Sequence, residues 1–380
     1  MKIVADSNIP FAEDACAGIG AVETVKASEL SPERLRDCDI LLCRSTRKIN
    51  AELLDGAVVR FVATATIGVD HVDIPYLESR GIGFASAPGS NANSVSEYVT
   101  SALLVLASQT GRRLRDLAIG VVGVGNVGSR VVRKAEALGM TVLQNDPPLR
   151  RRTGEKRFRP IDELMDADVL TFHVPLAKSG QDVTMHMVDR VFLARMKPGA
   201  VLINSSRGAV VDGRALHEAM DSGRLGAVVL DVWENEPEID RDLLAKVSVG
   251  TPHIAGHSFD GKVNGTKMVV DAACRFVGVT PAWTPATVLP APDVPCIEVD
   301  AKGRDDEDII REVVLALYDV RRDDAMLREA ASRGVGDYFN ALRSGYWRRR
   351  EFHNTRVELS GGSPQLVAAL SGLGFATQTA

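Results

Sequence analysis

The chain has 380 residues, 45% hydrophobic and 25% charged, with a formal net charge of −5. That composition excludes a disordered or collagen-like chain, and at roughly 150 residues per domain the length implies two or three domains. The acidic balance argues against a nonspecific nucleic-acid binder, and no apolar run approaches the roughly 18 residues of a membrane span.

Short apolar strands are predicted at 2–6, 39–45, 60–66 and 81–87, with helices at 32–37 and 74–80. Continuous apolar runs joined by helices imply a parallel sheet covered on both faces. A helix over 94–109 follows, with Ser94 and Glu97 spaced as a capping box. It is long enough to leave one domain and enter another. Strands at 118–123, 141–146, 169–174, 200–206, 226–232 and 247–250 then alternate with helices at 127–138, 187–196 and 213–222. Six strands with intervening helices are the content of a doubly wound sheet. A helix over 260–277 is placed to cross back to the first domain. Residues 281–295 contain five prolines and read as a linker. Beyond them come a strand at 296–300, a helical stretch at 306–332 with a break near Asp323, a strand at 351–359 and a helix at 363–373. These make a small α+β domain.

The sharpest local motif is Gly123-Val124-Gly125-Asn126-Val127-Gly128, between an apolar strand and a helix. Gly123 allows a tight turn, Gly125 lets a pyrophosphate approach the backbone, and Gly128 lets helix and strand pack closely. The helix N-terminus then offers N–H groups to phosphate. Asp146 ends the next strand, where a carboxylate accepts from ribose hydroxyls and repels a 2′-phosphate. That favours NAD over NADP.

Three polar groups follow later strands of the same sheet: Arg207 after AVLIN, Glu236 after VVLDV, and His253 after VSVG. Loops beyond the carboxyl ends of parallel strands line the ligand crevice, so the three can converge. Their types suit oxidation of a hydroxy acid. His253 takes the hydroxyl proton, Glu236 fixes the imidazole and supports its charged form, and Arg207 holds a carboxylate in a two-pronged grip. Asp231 is placed to orient a nicotinamide carboxamide. His173, at a strand end, is placed to line the same pocket.

The runs GVVGVGNVG, NSSRGAVVD, VLDVWENEP and TPHIAGHS, in that order, resemble the D-isomer-specific 2-hydroxyacid dehydrogenases over about residues 1–280. The resemblance implies an α/β fold with a Rossmann-type NAD-binding domain at 94–255. It also implies a discontinuous, flavodoxin-like substrate domain formed by 1–93 and 256–280. It makes Arg207, Glu236 and His253 catalytic. It adds Val174, Ser206 and Gly256 to Gly123, Gly125, Asn126, Val127, Gly128, Asp146 and Asp231 as NAD contacts. Substrate contacts fall on Ser45, Thr66, Arg44 and His257, and no metal is implied. This chain departs from the family pattern at Arg47, where a Thr is usual, and at His257, where a Tyr usually follows HIAG.

ADSNIP, LLCRSTRKIN, ATATIGVDHVD, SAPGSNANSVSEYV and AGHSFDGKVNGT are most similar to one branch of that family. The branch acts on a small phosphorylated 2-hydroxy acid. Its extra C-terminal domain, here 296–380 after the linker 281–295, implies a homodimer. The alternatives are another member, such as a phosphoglycerate dehydrogenase, or an NADH-sensing, corepressor-like binding protein. No nucleic-acid or membrane partner is expected. Cys16, Cys38, Cys43, Cys274 and Cys296 include no CxxC pair and MKIVADSNIP is no export signal, so reduced core thiols in the cytoplasm are expected. The segment YWRRR at 346–350 reads as a solvated basic face, or as the source of an arginine that reaches a phosphate in the partner subunit's cleft.

Overall fold

The computed structural model describes residues 1–334 and 337–379. The chain divides into two compact units, Met1–Asn91 with Ser258–Ala291, and Ala92–His257 with Pro292–Ala380.

The first unit holds five strands: β1 (Lys2–Asp6), β2 (Ala21–Val25), β3 (Ile40–Cys43), β4 (Phe61–Thr64) and β5 (Gly83–Ser86). They pair in parallel in the order β2-β1-β3-β4-β5, the flavodoxin-like arrangement. Side chains alternate across a strand, so each strand feeds two cores. Ile40 and Leu42 pack on one face with Ile3, Ala63 and the helix Phe259–Val277. Leu41 and Cys43 pack on the other with Val4, Val62, Leu53 and Leu77. Strand β2, AVETV, lies at the sheet edge and is partly exposed, which is why its polar alternation gave no strand signal. Burial pushes the Cys16 and Cys43 thiols up to about 12, as suits core filler.

The second unit contains β6 (Ala118–Val122), β7 (Thr141–Asn145), β8 (Val169–Phe172), β9 (Ala200–Asn204), β10 (Leu225–Leu230) and β11 (Val249–Gly250). All pair in parallel, in the order β11-β10-β9-β8-β6-β7. Chain order therefore reverses between β6 and β8, which is where an open α/β sheet opens its ligand crevice. Three further parallel strands, β12 (Cys296–Asp300), β13 (Arg356–Ser360) and β14 (Ala376–Thr379), make a small separate sheet.

Residues 292–380 share an apolar core with the nucleotide sheet's helices. Val299, Ile309, Val313 and Leu366 cluster with Val99, Leu103 and Val131. The long helix Ala92–Thr110 is buried over most of its length. This overturns the expected capping box. The helix begins before Ser94, whose hydroxyl donates to the Ala255 carbonyl at 2.7 Å, and Glu97 is fully buried. The break expected near Asp323 falls earlier, where Asp319 caps the helix Val320–Arg333. Asp323 is buried inside that helix and accepts the hydroxyls of Tyr318 and Tyr346, each at 2.8 Å. Among the described residues no helix is long and apolar enough to cross a membrane.

Candidate active site

The turn after β6 is shaped by what its glycines lack. Gly123 adopts φ +84°, and a side chain there would meet the His173 carbonyl oxygen at 2.6 Å. At Gly128 an added Cβ would lie 1.9 Å from the Gly123 carbonyl oxygen. At Gly125 no atom would lie within 4 Å. The first and third glycines thus serve packing, while the second leaves open space before the helix Gly128–Ala137. That helix starts with no side-chain cap on Val127, and of its first N–H groups those of Ser129 and Arg130 bond the Gly125 and Val127 carbonyls at 3.0 and 2.9 Å. Gly125 and Asn126 are exposed on the turn. Asp146 accepts the Val124 N–H at 2.8 Å and the Leu149 N–H at 2.9 Å, so its carboxylate is fixed beside the turn. An open glycine, an uncapped helix start and an adjacent fixed carboxylate fit the phosphates and ribose of a dinucleotide. Val174 lies across the turn, its Cγ1 2.8 Å from a Cβ built on Gly123. Burial lowers the His173 imidazole to about 3, so the ring stays neutral, near Thr171 Oγ1 at 2.9 Å. Arg150, Arg151 and Arg152 are exposed on the helix Pro147–Thr153.

The carboxyl ends of β9, β10 and β11 carry Arg207, Glu236 and His253. Ser206 N–H and Oγ both bond the Asn204 Oδ1, at 3.1 and 2.8 Å, and Asn204 Nδ2 donates to the Arg207 carbonyl at 2.9 Å. Gly208 lets this loop touch the next: a Cβ there would sit 1.9 Å from the Trp233 carbonyl oxygen. Glu234 then accepts the Gly213 N–H at 2.8 Å. The loops bearing Arg207 and Glu236 are thereby fastened together.

Glu236 accepts the Trp233 N–H at 2.7 Å through one oxygen and meets His253 Nδ1 at 2.7 Å through the other. Burial works to raise its carboxyl, but the charge and hydrogen bond of His253 outweigh it and hold it below its ordinary value. An ionised carboxylate only accepts, so Nδ1 carries the proton and Nε2 of the neutral ring has the lone pair. His253 adopts φ 56°, a left-handed conformation rare outside glycine. Its N–H is held by the Asp231 carbonyl at 2.7 Å. The buried Asp231 carboxylate accepts Thr251 Oγ1, Ile254 N–H and Ala255 N–H at 2.7, 2.7 and 3.0 Å. Asp231 therefore anchors the backbone that presents His253, a task its sequence position did not reveal. Gly256 and His257 follow in the same loop, both half-buried.

In the first unit, Arg44 and Ser45 leave the end of β3 and Thr66 follows β4. Arg44 is half-buried and Ser45 exposed. Thr66 Oγ1 lies 2.7 Å from Thr64 Oγ1 and donates to the Gly68 carbonyl at 3.0 Å. Lys262 was not singled out from sequence. It sits in the first turns of the helix Phe259–Val277, where burial and the nearby Arg44 charge push it down to about 8. The two cations lie near enough in this unit for each to feel the other's charge. Among the described residues no group of three or more His, Cys, Asp or Glu is placed to hold a metal ion.

Residues 95–255 match the family model described as "D-isomer specific 2-hydroxyacid dehydrogenase, NAD binding domain". The solved D-lactate dehydrogenase of Aquifex aeolicus, complexed with NAD and lactic acid, superposes with a TM-score of 0.61 at 25% identity over 73% of this chain and 95% of that one. The NAD-dependent formate dehydrogenase of Staphylococcus aureus, in complex with NAD, gives 0.61 and 25% over 74% and 97%. The fold and turn thus define an NAD-binding domain of the D-2-hydroxyacid dehydrogenase class. An Escherichia coli protein named erythronate-4-phosphate dehydrogenase is 46% identical over 99% of this chain and 98% of its own length. The Klebsiella pneumoniae protein of that name is 45% identical over the same shares. The chain belongs to the erythronate-4-phosphate dehydrogenase family. A second family model, described only as a domain of unknown function, matches residues 288–374.

Proposed function

We propose that this protein oxidises 4-phospho-D-erythronate at carbon 2 to 2-oxo-3-hydroxy-4-phosphobutanoate, a step of vitamin B6 (pyridoxal 5′-phosphate) synthesis. The observation that carries this reading is the 2.7 Å bond between Glu236 and His253 Nδ1, which leaves Nε2 as the base. The relatives' name supplies the substrate.

NAD, when bound, accepts the hydride that leaves carbon 2. The chain's residues manage the proton and the charges. His253 Nε2 takes the hydroxyl proton, and Glu236 stabilises the resulting imidazolium. Arg207 holds the substrate carboxylate and supports charge on the forming carbonyl. Gly125, Asn126 and Val127 seat the pyrophosphate, Asp146 takes the ribose hydroxyls, and Val174, Ser206 and Gly256 line the cofactor's path. Ser45, Thr66 and His257 contact the acid. The phosphate is assigned to Arg44 together with Lys262.

A homodimer through 296–380 and a cytoplasmic setting belong to the same proposal. The dimer is supported by the separate sheet β12–β14, whose strands β12 and β13 lie within the stretch 288–374 that matches a family model of its own. NADH formation across a panel of phosphorylated and plain 2-hydroxy acids tests the substrate. Preference for 4-phospho-D-erythronate supports the reading, and preference for phosphoglycerate or an unphosphorylated acid defeats it.

A further inference from the structure

The YWRRR segment is only in part a solvated basic face: Arg348 is exposed and Arg350 half-buried. Tyr346 and Arg349 are buried, and Arg349 is only 1% exposed. Its guanidinium stacks 4.0 Å from the Tyr318 ring centroid. Its Nη2 donates to the Ser94 carbonyl at 3.1 Å and to Ser94 Oγ. Ser94 Oγ in turn donates to the Ala255 carbonyl at 2.7 Å. The Ile254 and Ala255 N–H groups are already held by Asp231. The backbone between His253 and His257 is thus gripped on its N–H side by Asp231 and on its carbonyl side by Ser94 and Arg349.

Tyr346 completes this arrangement. Its ring meets the His257 ring edge-to-face, with centroids 5.7 Å apart and an interplanar angle of 70°. Its hydroxyl is tied to the buried Asp323 at 2.8 Å, and Asp323 also takes the Tyr318 hydroxyl under Arg349. The tyrosine cannot swing without breaking that bond, so it presents a fixed wall to the imidazole.

We propose that Tyr346 is a positioning residue for substrate binding: its ring, held by Asp323 and by the Arg349 anchor, sets the orientation of His257 toward the acid in its own subunit. The C-terminal segment then serves recognition of the acid and not only attachment. This rests on the reading of His257 as a substrate contact.

The test is a double-mutant cycle in the full-length enzyme, using Tyr346→Met, Tyr346→Phe and His257→Ala. Steady-state kinetics with 4-phospho-D-erythronate are read beside calorimetric affinity for the same acid with NADH bound. Tyr346→Met fills similar volume without the ring face and raises KM and the acid's Kd about tenfold, the scale expected for coupled neighbours. NADH affinity and kcat change less than about twofold. Tyr346→Phe keeps the ring but loses the tie to Asp323, so its KM and the acid's Kd fall between those of wild type and Tyr346→Met. In the His257→Ala background, Tyr346→Met adds nothing further. An equal penalty with and without His257 overturns the proposal, as does a fall in kcat or NADH affinity at unchanged KM. If Tyr346→Met does not fold, Tyr346→Leu supplies the ring-free comparison, and a Leu variant with wild-type acid affinity overturns the proposal. Wild-type enzyme that binds the acid without oxidising it defeats the proposed reaction alone, since the cycle is then read from Kd.

Discussion

Glu236 bonds His253 Nδ1 at 2.7 Å while its second oxygen takes the Trp233 N–H, also at 2.7 Å. One carboxylate thereby fixes both its own loop and the tautomer of the imidazole. Replacing it by Gln keeps the size and removes the charge. Glu236→Gln is expected to lower kcat by about a hundredfold or more, with NADH affinity unchanged, because the protonated ring loses its counter-charge. Stopped-flow measurement of NADH formation checks this.

The glycine turn separates packing from binding. Gly125→Ala meets no atom within 4 Å, so the variant should fold with the wild-type Tm and bind NADH at least about tenfold more weakly. Gly128→Ala, with its Cβ 1.9 Å from a carbonyl oxygen, should lower Tm as well. Calorimetric unfolding and NADH titration on both variants distinguish the two roles.

Lys262 and Arg44 share an anion seat in the proposal. Lys262→Gln should raise KM for the phosphorylated acid about tenfold and leave an unphosphorylated acid unaffected. Lys262→Arg should restore most of the affinity, since its charge is retained. Equal effects on both acids would remove Lys262 from the phosphate site.

Glu97 is buried beside Glu351, and burial first, then that second carboxylate, raise it to about 8. An unfolded glutamate ionises near the ordinary value of 4.5, so between there and about 8 the folded state holds a proton the unfolded state has lost. Stability from this group is full below the unfolded pKa and is lost as pH rises through about 8. Glu97→Gln mimics the protonated form. Its Tm should exceed that of wild type by several degrees above about pH 8 and approach it near pH 5.

Much of the architecture was legible because apolar strands alternate with helices and each candidate catalytic side chain directly follows such a strand. Arg207, Glu236 and His253 stand out for that reason. What was not legible depends on tertiary placement. Strand β2 is an edge strand of mixed polarity, and β14, ATQT, is almost wholly polar. Ser94 and Glu97 have capping spacing, yet the chain starts its helix earlier and turns both inward. Three adjacent arginines at 348–350 look alike in sequence, but only the folded segment buries Arg349 while Arg348 stays exposed. Lys262 lies in an ordinary helical pattern, and its lowered pKa arises from burial and from an arginine distant in sequence.

The most direct test is the turnover of His253→Ala with 4-phospho-D-erythronate and NAD, measured together with its NADH affinity. The account predicts a loss of kcat of about a thousandfold or more, with NADH affinity within about twofold of wild type. Turnover close to wild type at equal NADH affinity would contradict it.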